Sequence, residues 1–313
     1  MNRLEELLGQ TIRRYVRPDA RIVGLDTQPL RESERGYSGA RLERHVVAFH
    51  APGGETETTA LITKEAALIE RRVLKLLAAQ GQCVPFSHTL DLIGDRPALV
   101  CQQDLGAGAS LQAPSTELDR QVARCLARIH HTNMGRATEL TWLPRADRAY
   151  FEDYILADYR AQVARAMERP AFVEAYGDIA RQMDEAVGPF LAAMDARWAE
   201  GDTLTLIHAD LMDTHILVRD GHPSLIDWGQ ARYGSLYLDL PNYFTPDTVS
   251  LYRDALAELG LEIPEERFMR RYHAAGRYSG FKYMGFLLSL WQAGQLTSLH
   301  GPLLDQLLHG KGR

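Results

Sequence analysis

Between residues 206 and 218 the chain reads LIHADLMDTHILV, placing His208, Asp210, Asp213 and His215 within eight positions between two apolar runs. Ionisable groups so placed are either a solvated loop or a reactive centre on a tight turn between buried elements. A second acid follows in SLIDWGQA, where Asp227 comes after Leu225-Ile226 and before Trp228-Gly229. Asp210 and Asp227 are 17 positions apart, and the chain between them reads strand, turn at Asp220-Gly221, strand. A hairpin of that size returns its ends to one place, so the two carboxylates are expected together. Two carboxylates at one spot repel unless a cation or a shared proton intervenes. Mg²⁺ resolves this economically, because it takes one or two carboxylates and completes its shell with phosphate oxygens and water.

That pairing fits phosphoryl transfer, in which one Asp takes the proton of the attacking hydroxyl and the other holds the metal. The reaction also needs a cation on the phosphates and a group that fixes it. Lys64 ends the strand-like TTALIT, and Glu70 follows six residues later in a helical stretch. Upstream, ERGYSGARLERHVV places Gly36, Ser38 and Gly39 before a strand. Small residues there allow backbone N–H groups to approach phosphate.

The elements that must hold these groups follow from periodicity. RLERHVVAFHA (41–51) and TTALIT (58–63) read as strands around the turn PGGETE. EAALIERRVLKLLAAQG (65–81) carries Ala66, Ile69, Val73, Leu76 and Leu77 at helical spacing. HTLDLIG and PALVCQQ read as two further strands, and the N-terminus as a short amphipathic helix. After DLGAGAS the texture turns helical: LDRQVARCLARIHH (118–131), then about 150–168 and 171–199, and most of the chain beyond 236. His130 and His131 end a helix, where a basic side chain suits the helix dipole and needs no further role. The expected organisation is a small β-rich N-terminal lobe (1–104), a hinge near 101–106, and a large α-helical C-terminal lobe (105–313), with a ligand in the cleft between.

With 45% hydrophobic and 24% charged residues, the 313-residue chain has the makings of a packed core. A net charge of −6 offers no broad basic field for nucleic acid. Cys83, Cys101 and Cys125 lack the paired spacing of a zinc site and are expected as buried, reduced thiols. No apolar run nears the roughly 20 residues that span a bilayer, and no signal-peptide pattern opens the chain. A cytoplasmic protein with a small-molecule partner, and neither nucleic acid nor membrane, is the expectation.

The motifs resemble those of the aminoglycoside phosphotransferase family of small-molecule kinases, whose fold is protein-kinase-like. HADLMDTHILV is similar to the family's catalytic loop, LIDWGQARYGSLYLDL to its metal-binding segment with Asp239 beyond, GYSGARLERHVV to its nucleotide loop, and LITKEAALIERRVLKLL to its Lys and helix-Glu segment. The match in order and spacing covers roughly residues 30 to 245. The resemblance implies an α+β, bilobal fold and an ATP- or GTP-dependent kinase acting with Mg²⁺. It implies Asp210 as catalytic base and Asp227 as Mg²⁺ ligand. It places Lys64 on the α/β-phosphates with Glu70 orienting it, and Gln102 and Gln103 near the adenine-binding hinge. His208 and Asp239 would support the catalytic loop.

One position departs from the pattern: His215 stands where the family has a metal-binding Asn. Imidazole prefers transition metals to Mg²⁺. His215 can bind a metal such as Mn²⁺, hydrogen-bond Asp210 or a phosphate, or mark a lost second metal site. A His here resembles the macrolide-kinase branch. The short segment between Gly229 and Leu238 suits a small acceptor rather than a peptide, an antibiotic of amino-sugar or macrolide type among the candidates, with choline, homoserine and sugar amines on the same scaffold. Tyr237, Tyr243, Tyr278, Tyr283 and Trp291 are candidates for the acceptor pocket. Two alternatives stand beside this: a metal-dependent phosphohydrolase using the His and Asp cluster, and a nucleotide-binding homologue with weak transfer.

Overall fold

A computed structural model describes residues 2–30, 42–51, 53–106 and 115–310. The chain divides into two compact units. The first comprises Met1–Ser115 together with Asp213–Gln230, and the second Thr116–Met212 with Ala231–Arg313. The stretch 213–230, which lies in the middle of the C-terminal half of the sequence, thus belongs to the first unit.

The first unit opens with α1 (Arg3–Tyr15), started by a capping box between Asn2 and Glu5. Each side chain satisfies a backbone N–H that the first helical turn leaves open. Five antiparallel strands follow: β1 (Arg21–Pro29), β2 (Leu42–His50), β3 (Thr56–Ala66), β4 (Ser87–Thr89) and β5 (Ala98–Gln103), in the order β1-β2-β3-β5-β4. α2 (Leu68–Ala79) separates β3 from β4. Leu7, Leu8 and Ile12 of α1 pack on Val47, Phe49, Leu61 and Cys101 of the sheet in one buried cluster. A hairpin, β7 (Ile216–Arg219) and β8 (His222–Leu225), completes the unit between two 3₁₀ turns, Asp213–His215 and Trp228–Gln230. Asp220 and Gly221 at its tip both have positive φ, +52° and +76°. Two successive left-handed residues are what a two-residue turn of the strand-matching hand requires.

Unit two contains α3 (Thr116–Asn133), then a nearly continuous helical run of α4 (Arg148–Tyr150), a π-helical segment Phe151–Leu156 and α5 (Ala157–Met167). α6 (Pro170–Glu185) and α7 (Val187–Glu200) lead to a short antiparallel pair, β6 (Leu204–Ile207) with β9 (Arg232–Ser235). A 3₁₀ turn (Leu236–Asp239), α8 (Ser250–Glu258), the long α9 (Glu265–Gln292) and α10 (Pro302–His309) complete it. α10 lies close against α9. A Cβ on Gly280 would come within 2.5 Å of the Leu307 backbone nitrogen.

Two features depart from the sequence reading. β1 is an extra strand at the sheet edge, with a register shift between Ile22 and Gly24. The expected helix over 171–199 is two helices meeting at Ala186. Cys101 is free and buried, as expected, and burial pushes its thiol up to about 12. Among the described residues no helix is long and apolar enough to cross a membrane.

Candidate active site

In the first unit, Lys64 is inside β3 rather than at its end, paired with Leu42 on one side and Val100 on the other. Strand pairing on both edges fixes the direction of its side chain. Its ammonium lies 2.5 Å from Glu70 Oε1 and 3.2 Å from Asp227 Oδ1. Glu70 enters from the first turn of α2 and is buried. Burial alone would lower the Lys64 pKa, but the carboxylates of Glu70 and Asp227 together hold it raised. Glu70 is raised by burial, against the pull of Lys64. Desolvation penalises each isolated charge, and close opposite charges restore it.

Asp227 itself has φ +64°, a conformation that costs a non-glycine residue on the order of 1 kcal/mol or more. The buried Trp228, whose indole N–H donates to the Leu225 carbonyl at 3.1 Å, locks the turn that imposes it. Asp227 Oδ2 lies 3.6 Å from His215 Nε2, and the Ile226 N–H donates to the His215 carbonyl at 3.0 Å. The hairpin therefore brings His215 and Asp227 side by side. Among the described residues no group of three or more His, Cys, Asp or Glu is arranged to hold a metal by itself. A carboxylate 42% exposed beside one imidazole fits Mg²⁺ nonetheless, since that ion keeps waters and phosphate oxygens in its shell instead of a protein cage.

Gln102 and Gln103 are the last residues of β5, Gln102 buried and Gln103 donating its N–H to the Phe86 carbonyl at 3.0 Å. Gly36, Ser38 and Gly39 lie outside the described residues.

In the second unit, Asp210 follows β6 by way of His208 and Ala209. Asp239 organises this turn: Oδ2 accepts the His208 N–H and Oδ1 the Ala209 N–H, both at 2.7 Å. Asp239 also accepts from His130 Nε2 at 3.1 Å, while His130 Nδ1 lies 2.7 Å from the Tyr252 hydroxyl. His130 is fully buried, which corrects its reading as a helix-end residue with no further role. Its position continues the apolar stripe of Ala123, Leu126 and Ala127 along α3, and that periodicity was the available signal. His208 is likewise fully buried.

Ala209 has φ +61°. Its carbonyl accepts from the Tyr278 hydroxyl at 3.2 Å and from Lys282. Asp210 Oδ1 receives two donors from α9, the Lys282 ammonium and the Tyr283 hydroxyl, each at 2.6 Å. Asn242 in turn donates to the Tyr283 oxygen at 2.9 Å. Burial lowers the Lys282 pKa, with Asp210 opposing. Burial and the Asp210 charge push the Tyr283 phenol well up, so it stays a donor. Lys282 was not legible beforehand, because nothing in a helix 72 residues downstream marks one lysine as the partner of this acid. Of the candidate pocket aromatics, Tyr237 and Tyr278 are buried, and Tyr283 is the one that reaches Asp210.

A model of the phosphotransferase enzyme family, APH, matches residues 44–280. No curated protein gives a sequence match. Among solved structures, the macrolide 2′-phosphotransferase MphH from Brachybacterium faecium is similar at 19% identity and TM-score 0.54, covering 97% of this chain and 98% of that one. Spectinomycin phosphotransferase APH(9)-Ia, in complex with ADP and spectinomycin, is similar at 12% identity and TM-score 0.56 over 99% and 98% of the two chains. Choline kinase from Cryptosporidium parvum Iowa II gives 14% identity and TM-score 0.56 over 91% and 88%. At these identities the structures establish a shared small-molecule-kinase fold, and the family match carries the assignment: the chain belongs to the phosphotransferase enzyme family and is a small-molecule phosphotransferase.

Proposed function

We propose that the protein transfers the γ-phosphoryl group of ATP or GTP to a hydroxyl of a small molecule, with Mg²⁺. The observation that carries this reading is the Lys64–Glu70–Asp227 group: one buried ammonium held between a buried carboxylate and a half-exposed one. Nucleotide phosphates need a fixed cation beside the metal's carboxylate, whereas a phosphohydrolase built on the His and Asp cluster alone leaves Lys64 and Glu70 without a role. Asp227, with His215 next to it, would hold Mg²⁺, which when bound neutralises phosphate charge. Lys64 would bind the α/β-phosphates, Gln102 and Gln103 would adjoin the adenine, and Gly36, Ser38 and Gly39 would line the phosphates. Asp210 takes the acceptor's proton as its oxygen bonds to phosphorus and the bridging bond to the nucleoside diphosphate breaks. The strained Ala209 turn, pinned by Asp239, holds that carboxylate in place.

The similar structures are a macrolide 2′-phosphotransferase, a spectinomycin phosphotransferase and a choline kinase. An antibiotic of macrolide or amino-sugar type is the acceptor proposed from the sequence resemblance, with small metabolic alcohols on the same scaffold. His215 at the family's Asn position supports a second reading, a nucleotide-binding homologue with weak transfer. A nucleotide-consumption screen over antibiotics and small alcohols tests both. Acceptor-dependent turnover lost in Asp210→Asn supports the kinase. Nucleotide binding with no transfer to any acceptor supports the homologue.

A further inference from the structure

Three side chains of α9 close on two residues of the loop that carries Asp210. Tyr278 and Lys282 lie four positions apart, on one face of the helix. Both donate to the Ala209 carbonyl, Tyr278 at 3.2 Å. Lys282 also reaches Asp210 Oδ1 at 2.6 Å, and the Tyr283 hydroxyl donates to the same oxygen at 2.6 Å. Asn242 donates to the Tyr283 oxygen at 2.9 Å and fixes the phenol. A neutral donor is enough to hold the Ala209 carbonyl, as Tyr278 shows. An ammonium whose side chain is only 11% exposed is a costly brace for a turn, because burial penalises a charge, and burial does lower the Lys282 pKa. What Lys282 adds over a hydroxyl or an amide is a full positive charge at an oxygen of Asp210. The charged groups that bear on this ammonium are Asp210, Asp239 with His130 against it, and Arg232 of β9. The phenols of Tyr278 and Tyr283 adjoin it, Tyr150 of α4 hydrogen-bonds Tyr278 at 3.0 Å, and Asp158 of α5 lies against Gly285 of the same helix.

We propose that Lys282 is a positioning residue for the phosphoryl transfer: its ammonium, tied to the Ala209 carbonyl, grips Asp210 by Oδ1 and sets a positive charge beside it, with Tyr283 completing the grip. This step rests on the kinase reading, in which Asp210 is the base. A carboxylate next to a cation stays ionised to lower pH, so Asp210 meets the acceptor hydroxyl in the form that takes its proton. Two donors on one oxygen also restrain the carboxylate from turning about its own bond, which keeps its direction fixed relative to the acceptor. In the transfer the hydroxyl proton passes to Asp210 and the acceptor oxygen bonds to the γ-phosphorus. The bond from that phosphorus to the bridging oxygen breaks, and its electron pair leaves with the nucleoside diphosphate. Lys282 keeps its protons throughout, so it acts through Asp210 and not as an acid or base itself.

The test uses the full chain labelled with ¹³C at the Asp carboxyl carbons, the Asp210 signal being the one lost in Asp210→Asn. Its titration is followed by NMR in the wild type and in Lys282→Gln, which keeps a donor and loses only the charge. The midpoint should rise by about one pH unit or more in Lys282→Gln, the size of shift an opposite charge at this range produces. Lys282→Arg should restore it in part, and Tyr283→Phe, which leaves the ammonium, should move it less. Lys282→Met carries the same test if Lys282→Gln fails to fold. Turnover is read beside the titration, as slow hydrolysis of Mg·ATP and as transfer to erythromycin, kanamycin and choline. The acidic limb of the rate profile should move up with the midpoint and kcat should fall about tenfold or more. The KM for ATP should stay near the wild-type value, the split expected when an interaction at the reacting group is removed. A midpoint and an acidic limb that stay in place in a folded neutral variant overturn the proposal, because a merely structural lysine would lower activity without moving either. If the wild type turns over ATP and the midpoint stays, only the role of Lys282 falls. If the wild type neither hydrolyses ATP nor transfers to any of the three acceptors, the kinase reading falls and the proposal falls with it.

Discussion

Asp239 accepts the Ala209 N–H at 2.7 Å while Ala209 holds φ +61°. A left-handed alanine is costly without an external brace, and this carboxylate is the brace, supported from behind by His130. Asp239→Asn keeps one carbonyl acceptor and loses the charge. It is expected to cost about 2 kcal/mol of stability, since a charged acceptor of buried N–H groups contributes about 1.5–3 kcal/mol. Turnover should fall by more than the unfolded fraction accounts for, because Asp210 follows that turn. Denaturant unfolding beside kcat separates the two effects.

Glu70→Gln removes the buried carboxylate at 2.5 Å from Lys64 and leaves the ammonium with Asp227. Lys64 should then swing toward Asp227, and nucleotide KM should rise by about tenfold or more, as expected for losing one partner of a buried charge pair. Lys64→Met should be worse. Fluorescent-nucleotide titration of the three proteins checks the order.

His215→Asn changes the donor beside Asp227 from imidazole to amide oxygen. Wild type should favour Mn²⁺ over Mg²⁺ more than the variant does, because nitrogen donors favour the transition metal. Initial rates in each metal, measured for both proteins, give the ratio. An unchanged ratio would place His215 outside the metal's shell.

His45 is buried between Thr27 and Thr63, with Nδ1 2.9 Å from one hydroxyl and Nε2 2.8 Å from the other. Burial lowers its pKa below 6.5. The unfolded chain therefore takes up the proton first, and stability falls as pH drops below 6.5 until the folded His45 itself titrates. His88, also lowered by burial, acts in the same direction. Urea unfolding at stepped pH should show this slope, and His45→Gln should flatten it.

Gly280→Ala sets a methyl against the backbone of Leu307. Backbone gives way less readily than a flexible side chain, so a loss of about 1–3 kcal/mol is expected, with α10 shifted from α9. Thermal unfolding checks it.

Local chemistry was legible in the sequence, and partnership across long separations was not. Lys64 and Glu70 are six residues apart, and the Asp220-Gly221 turn announces the hairpin that carries His215 to Asp227. The edge strand β1 was missed because it is mostly exposed along its length and bulged near Gly24, so no alternation marks it. β6 and β9 are four residues each and nearly thirty apart, too short for periodicity to reveal. Lys282 belongs to a helix whose polar positions look alike until the fold points one of them at Asp210.

The central claim is that one carboxylate moves a proton while another holds the nucleotide's metal. It is tested most directly by measuring Mg·nucleotide binding and phosphoryl transfer together in Asp210→Asn and Asp227→Ala. Asp210→Asn should bind nucleotide normally and lose transfer by a factor on the order of 10²–10⁴, the range for removing a general base. Asp227→Ala should lose Mg-dependent binding itself. Wild-type turnover in both variants would contradict the account.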